Sequence, residues 1–437
     1  MTGPSSISIN IPVTNKPRIV IVGGGFGGIQ LAKRLKGEDV QVVMIDKNNY
    51  HTFQPLLYQV ATAGLEPDSI AYPLRKIFKK QENFIFRMAE AIKVDPARKV
   101  LETSIGEIPY DFLVLATGSV TNFYGMRDME RNAMPMKSVP QSLDLRSLIL
   151  QNLEAALLTT DLKNLEGLLT FVVVGGGPTG VETAGALGEL KNHILPLDYP
   201  ELDIKKMRIH VVDHGPRLLQ GMSPSASQKA EEFLRKFEVE IWLNTGVVAY
   251  DGTTLSLSNG KTLLTKAVIW AAGVAGAVLP GLRAESVTNG RRLKVDAFSR
   301  VEGYENIFAI GDLACMVTKD SPQGHSLLAP VAMQQGKWLA QNLGRLLRKQ
   351  PLRPFHYLNL GVMATIGRNQ AVADLPLVKV QGVLGWFLWV FIHLMTLVGF
   401  RNRMVTFVNW VFSYLSYDKG IRLIIRPFKR GQSPVDR

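Results

Sequence analysis

The hydrophobic pattern changes character along the chain. Up to about residue 312 it is built from short uninterrupted apolar runs of strand length: PRIVIV, VQVVMID, DFLVLATGS, LLTFVVV, RIHVVDHG, AVIWAAG and ENIFAIGDLA. Strands that read as continuous apolar runs, without alternation, are buried on both faces, which predicts parallel sheets flanked by helices. Near the end the pattern shifts. GVLGWFLWVFIHLMTLVGF, residues 382 to 400, is nineteen residues without a formal charge. As a helix it would reach roughly 28 Å, close to the thickness of a bilayer's hydrocarbon core, so length alone does not decide its role. In the following RNRMVTFVNWVFSYLSYDKG, Met404, Phe407, Val408, Val411, Phe412 and Leu415 share one helical face, while Asn402, Thr406, Asn409, Ser413 and Ser416 fall largely elsewhere. Two faces of opposite character predict a helix lying in an interface. Together the two segments read as a helical hairpin, with Trp386, Trp389, Trp410 and Tyr414 at headgroup depth and His393 and Thr396 interrupting the first apolar surface. A single span, or a core or dimer-contact helix, remains the alternative for 382 to 400.

Two of the apolar runs lead into glycine turns. The first runs into Gly23, Gly25 and Gly28, with Phe26 and Gly27 between, and then into a helix. Gly23 permits the tight turn, Gly25 lets a pyrophosphate approach the backbone at a helix N-terminus, and Gly28 allows close helix–strand packing. VQVVMID ends in Asp46, followed by Lys47, where a carboxylate can accept both ribose hydroxyls. The grammar recurs at Gly175, Gly177, Pro178, Thr179 and Gly180, which predicts a second dinucleotide. Its acidic strand end, Asp213, comes late because HILPLDYPELDIKK intervenes, as a longer helix or an excursion. Asp213 favours NADH, since a carboxylate repels the 2′-phosphate of NADPH, although Arg217 stands nearby. Return strands end in Ala116, Thr117 and Gly118 and in Ala272 and Gly273. A further strand ends in Gly311 and Asp312, where a carboxylate and a helix start could touch a flavin's ribityl and pyrophosphate groups.

Composition and charge narrow the picture. At 437 residues, 46% hydrophobic and 20% charged, the chain is globular and large enough for two or three domains. Its net charge of +13 is uneven: residues 401 to 437 hold eight Lys or Arg against two Asp, a net of +6. Beside an apolar segment, such a basic end suits an anionic membrane surface. Nucleic acid is excluded as a partner by the lack of any aromatic-basic stacking module. The only cysteine, Cys315, rules out an intrachain disulfide, a dithiol redox pair and a cysteine-rich metal site; no metal is expected. On its presumed helix after Asp312, Cys315 reads as a small buried residue. The first sixteen residues lack an apolar core or an Arg-rich amphipathic pattern and read as a flexible extension.

The order GGGFGG, ATG, GGGPTGVE, AIGDLA resembles the two-dinucleotide-binding-domain flavoproteins, the glutathione-reductase-like group. NYHTFQPLLYQVATAGLEP, APVAMQQG and GFRNR are similar to type II NADH dehydrogenases, the single-subunit, non-proton-pumping NADH:quinone oxidoreductases. The resemblance implies an α/β fold of two Rossmann-like domains plus a C-terminal amphipathic helical membrane-anchoring region. It implies FAD at the first turn, NADH as substrate at the second, a quinone as acceptor, hydride transfer from the nicotinamide to the flavin, and a homodimer. It places Glu182 beside nicotinamide and flavin; a carboxylate complementing a helix dipole is the plainer alternative. Gln334 and Gln335 open a helix expected under the flavin, with Ala332 beside the cofactor, where a neutral amide can hydrogen-bond a quinone oxygen without desolvating a charge. The family pattern has Gln where this chain has Pro330. Tyr50 to Tyr58 reads as a turn that puts His51, Gln54 and Pro55 beside the isoalloxazine or pyrophosphate.

The expected organisation is a flexible extension (1–16), an FAD-binding domain (17–160 and 285–345), an NADH-binding domain (165–284), a linking segment with strands (346–380), and membrane-associating helices with a basic tail (381–437). The protein is then monotopic, on the cytoplasmic face of a bacterial plasma membrane or the matrix face of an organelle membrane. A soluble FAD-dependent NADH reductase or oxidase of another acceptor and an NADH-binding redox sensor share the nucleotide turns. Neither needs the hairpin.

Overall fold

The structure, a computed structural model, describes residues 9–416 and 422–430. The first eight residues of the expected extension, Lys419 and Arg437 of the tail, and the side chains of Ser413, Leu415 and Ser416 lie outside the described residues. The chain forms two compact units, each assembled from three pieces. The first takes residues up to 51, 72–120 and 274–358; the second takes 52–71, 121–273 and 359 onward. Residues 52–71 and 121–160, expected with the FAD-binding domain, fall in the second unit.

In the first unit five parallel strands line up in the order Ile307–Ala309, Phe112–Leu115, Arg18–Val22, Gln41–Asp46, Phe84–Met88. Alternate residues of each strand serve opposite cores, as strand geometry requires. Ile19, Ile21, Val42 and Met44 pack with the helices Phe26–Arg34 and Ala329–Leu347, whereas Val20, Val22, Val43 and Ile45 pack toward Val94, Leu101, Ile108 and Phe355. Both faces are therefore covered, which is why the strands read as unbroken apolar runs. Ile9 and Ile11, within the stretch expected to be flexible, pack against the second of these cores. Gly311–Leu313 is a 3-10 turn and not the start of a helix; it leads into the strand Ala314–Met316, so Cys315 sits on a strand, partly exposed.

The second unit repeats the plan with the parallel order Met134–Pro135, Ala267–Trp270, Thr170–Val174, Arg208–Val212, Val239–Trp242. The segment HILPLDYPELDIKK proves to be both things expected of it. The helix Pro178–Glu189 continues through a π-turn, Leu190–Ile194, into Leu195–Asp198 before the chain returns to the sheet. Residues 50 to 58 are more structured than a turn: a strand Tyr50–Thr52, a 3-10 turn Gln54–Leu56 and the beginning of the helix Leu57–Ala61.

The C-terminal part of the second unit is a three-stranded antiparallel sheet (Val362–Thr365, Ala371–Asp374, Lys379–Gln381) followed by helices Gly382–Thr396 and Phe400–Ser416. Gly399, at φ +92°, ends the first apolar stretch early. The first helix has fifteen residues, roughly 22 Å, and among the described residues no helix is long and apolar enough to cross a membrane. Its polar interruptions cost little, because His393 Nδ1 and Thr396 Oγ1 bond the carbonyls of Trp389 and Ile392 one turn back.

The second helix is amphipathic with its polar side turned inward. Asn402 donates to the carbonyl oxygens of Asp68, Ser69 and Ala71, Thr406 to Ser69, Asn409 to Glu66, and Trp410 Nε1 to Gln59. Phe400, Met404, Phe407, Val408, Val411 and Phe412 stay exposed, as do Val383, Leu384, Phe387, Phe391 and Met395 of the preceding helix. Of the four aromatics expected at headgroup depth only Tyr414 is exposed, at 38%. Trp389 is 2% exposed, Trp386 stacks on Tyr414, and Trp410 is held by Gln59. The basic tail also differs from expectation. Arg422 pairs with Asp198, Arg426 with Asp144 at 2.8 Å, and Arg430 donates to the carbonyls of Gly252 and Lys266, all within the second unit.

Candidate functional site

The first glycine turn has the stereochemistry its spacing predicts. Gly23 lies at φ +109°, and a Cβ there would stand 2.3 Å from the Ala116 carbonyl oxygen; one on Gly28 would stand 2.0 Å from that of Gly23. A Cβ on Gly25 would meet nothing within 4 Å, which leaves space on that side for a diphosphate at the start of the Phe26–Arg34 helix. Asp46 is tied to the turn, accepting from Gly24 N at 2.6 Å and Asn48 N at 2.7 Å. Burial raises its pKa, opposed by those two amides and by exposed Lys47. Ala116 N joins Val22 O, Thr117 Oγ1 donates to Ala277 O at 2.8 Å, and Gly118 at φ +71° turns the chain toward Ser119, which bonds Asp312 at 2.6 Å. Gly27 passes under the carbonyl of Ala332, and Gly336 packs so tightly on Gly27 that a Cβ would meet its carbonyl at 2.3 Å. That places the start of the Ala329–Leu347 helix against the turn.

Two buried polar atoms here have no partner among the described residues: His51 Nε2 and Gln335 Nε2. His51 Nδ1 lies 3.0 Å from Gly24 O, and Gln335 Oε1 accepts from Gly311 N at 2.7 Å. An open diphosphate position, a carboxylate at the strand end and unsatisfied buried groups beside them fit FAD. Gln334 is placed differently from expectation. Its amide exchanges two 2.9 Å hydrogen bonds with the backbone of Leu358, so it braces that loop and keeps one N–H of its NH2 group for another acceptor. Gln54 and Pro55, grouped with His51 in the sequence, belong to the second unit.

The second turn has the same construction. Gly175 lies at φ +111° beneath Ala271 O, Gly180 contacts Gly175 O, and Gly177 faces open space before Pro178 and Thr179 start the helix. Tyr124 Oη donates to Ala272 O, next to Gly273. Asp213 accepts from Gly176 N at 2.5 Å and Gly215 N at 2.7 Å. Arg217, which could have received a 2′-phosphate, is consumed by its own loop: it donates to Met222 O, Gln220 O and Ser227 Oγ. The carboxylate is thus the charge left at the turn, its side chain 11% exposed, an arrangement that suits NADH.

Glu182, on the first turns of that helix, is 8% exposed. Burial lifts its pKa to about 8; the Thr365 amide and the Trp389 indole oppose the shift. The indole N–H has no acceptor within strict hydrogen-bond geometry, so its approach to the carboxyl is loose. Burial outweighs the helix dipole, and the group keeps its proton at neutral pH. Tyr58, fully buried, is pushed up by burial and by Glu182, and its oxygen accepts from Gln59 at 2.9 Å. Next to it is a cavity of about 80 Å³, bordered by Tyr58, Gln59, Thr365, Arg368, Trp389 and Trp410 among others. Thr365 and Trp389 carry no motif. The signal in the sequence was the stripe Gly385, Trp389, His393, one small and two aromatic positions four apart on an otherwise outward helix.

Comparisons with known proteins agree with this architecture. Residues 17–336 match the pyridine nucleotide-disulphide oxidoreductase family, and residues 359–416 match the NDH2 C-terminal domain. The chain is 35% identical over 426 residues to a type II NADH:quinone oxidoreductase of Mycobacterium tuberculosis, covering 93% of this chain and 89% of that protein. It is 28% identical over 448 residues to the mitochondrial external NADH-ubiquinone oxidoreductase 2 of Saccharomyces cerevisiae, covering 91% and 81%. The fold matches the structure of NDH2 from Plasmodium falciparum in complex with NADH, with a TM-score of 0.86 at 22% identity over 94% of this chain and 100% of that one. The chain belongs to the type II NADH:quinone oxidoreductases.

Proposed function

We propose that this chain oxidises NADH while lying on a lipid surface, with its two C-terminal helices as the attachment. It is an FAD-dependent NADH:quinone oxidoreductase that pumps no protons and feeds a respiratory chain. When bound, FAD supplies the two-electron chemistry that no side chain here provides. The residues position the reactants and hold the proton. NADH docks at Gly175–Gly180 with Asp213 on its ribose. The overall reaction, NADH plus a proton plus quinone giving NAD⁺ and quinol, consumes one proton from water, and Glu182 is the buried acid that stays protonated at neutral pH and so holds one. Gln335 offers its unsatisfied amide donor to a bound ligand, while Gln334 braces the Leu358 loop.

The observation that carries the lipid attachment is the inverted second helix. Among the described residues, its Asn402, Thr406, Asn409 and Trp410 side chains bond into the protein, and eleven large apolar side chains of the pair face outward. A surface of that size marks a partner or a membrane. Lipid suits a substrate that is itself lipid-soluble. A soluble reductase, an oxidase or a redox sensor would leave this surface without a use. The test is anaerobic mixing with NADH followed by a short-chain quinone. Flavin absorbance bleaches with NADH and recovers with the quinone; bleaching that only oxygen or ferredoxin reverses would reject the assignment.

A further inference from the structure

His51 is 2% exposed and packs edge-on against Phe26 at 5.0 Å and 84°. Its Nδ1 faces the Gly24 carbonyl at 3.0 Å. A carbonyl oxygen can only accept, so Nδ1 carries the proton and donates. Burial also holds the ring neutral, with its pKa lowered to about 4. Nε2 is therefore a bare lone pair, buried, with no donor among the described residues. An unmet buried acceptor is destabilising until a donor reaches it. Its surroundings limit what can meet it. Gly24 belongs to the diphosphate turn, yet phosphate oxygens are themselves acceptors and repel a lone pair. The donors that flank a diphosphate are the hydroxyls of the sugar chains on either side.

We propose that His51, through Nε2, accepts a hydrogen bond from a ribose or ribityl hydroxyl of the FAD bound at this turn, and so is a positioning residue that recognises the cofactor's sugar and not its phosphates. The inference rests on FAD occupying the Gly23–Gly28 turn. Because Gly24 O fixes the tautomer, the same contact that shapes the glycine turn determines which face of the imidazole the cofactor meets.

The test compares wild type with His51→Phe, which keeps a ring against Phe26 and removes the acceptor. Apoprotein of each is titrated by flavin fluorescence with FAD and with analogues that each lack one ribityl hydroxyl or the 2′-hydroxyl of the adenosine ribose. One analogue is expected to bind wild type about tenfold more weakly than FAD, as loss of one such hydrogen bond implies. His51→Phe should bind FAD about tenfold more weakly and lose nothing further with that analogue. The identity of the analogue tells ribityl from ribose. Equal losses in both proteins with every analogue would overturn the inference, and failure of the wild-type apoprotein to bind FAD at all would overturn the cofactor site itself. A measurement without a variant guards against misfolding. In ¹⁵N-histidine-labelled wild type, the unprotonated Nε2 resonance of His51 should shift when FAD is added, and an unchanged resonance would refute the contact.

Discussion

Phe387 and Phe391 lie one helical turn apart, on the same outward face, 53% and 62% exposed. Fully burying a phenylalanine is worth about 1.5–3 kcal/mol, so covering these exposed fractions with lipid is worth roughly 1–2 kcal/mol each. Replacing both with serine should weaken membrane partitioning by about 2–4 kcal/mol, or roughly 30- to 700-fold. Neither side chain makes a hydrogen bond that holds the helix, so the fold and the aqueous NADH reaction should survive. Co-flotation with vesicles at limiting lipid measures the partition, and NADH oxidation with a soluble acceptor checks the catalytic units. Leu158→Ser is the control, since Leu158 is 87% exposed at the end of the helix Val139–Leu158, away from the C-terminal pair. If the double variant floats as wild type does, or if Leu158→Ser loses as much, the outward faces of these helices are not the attachment.

Glu182 makes a pH prediction. Its folded pKa of about 8 lies above that of an unfolded glutamate, so between the two the folded state binds more protons and wild-type stability falls as pH rises. Glu182→Gln should remove that decline, seen as a melting temperature that gains on wild type from pH 5 toward pH 8; a constant difference would contradict the buried acid. Asp213→Asn should raise kcat/KM for NADPH without making it the better substrate, because Arg217 remains engaged by Met222, Gln220 and Ser227; a full switch would mean that Arg217 reorients. Asn402→Leu should cost about 2 kcal/mol of stability by orphaning carbonyls at Asp68, Ser69 and Ala71, measured by denaturant unfolding of the detergent-solubilised protein.

The parts of the fold visible in the sequence were those set by short-range physics. Gly23 and Gly175 announce turns because their left-handed φ leaves no room for a side chain, and Asp46 and Asp213 announce carboxylates that tie those turns because they end buried strands. The Gly382 and Phe400 helices were visible in their apolar faces, but not in their orientation. Whether Asn402 and Thr406 face water or carbonyl groups depends on the 59–71 segment, more than 330 positions away in the chain. The same holds at Glu182, whose pKa is raised by burial and only partly offset by Thr365 and Trp389 from distant parts of the chain, and at Gln334, whose pairing with Leu358 no spacing rule reveals. The early end of the FAD-binding piece was hidden too, because a compact unit is defined by contacts and the chain crosses between the two units within short loops.

The C-terminal arginines have a practical consequence. Arg422 and Arg426 are paired with Asp198 and Asp144, and Arg430 is held by backbone carbonyls, so these three arginines are already engaged within the protein. Concentrated salt, the usual means of stripping a peripheral protein from a membrane, screens ion pairs and leaves apolar contact intact. With the two helices as the proposed lipid attachment, a salt wash should loosen the strap across the protein's own nucleotide-binding unit before it releases the protein, and a mild detergent is the gentler extraction.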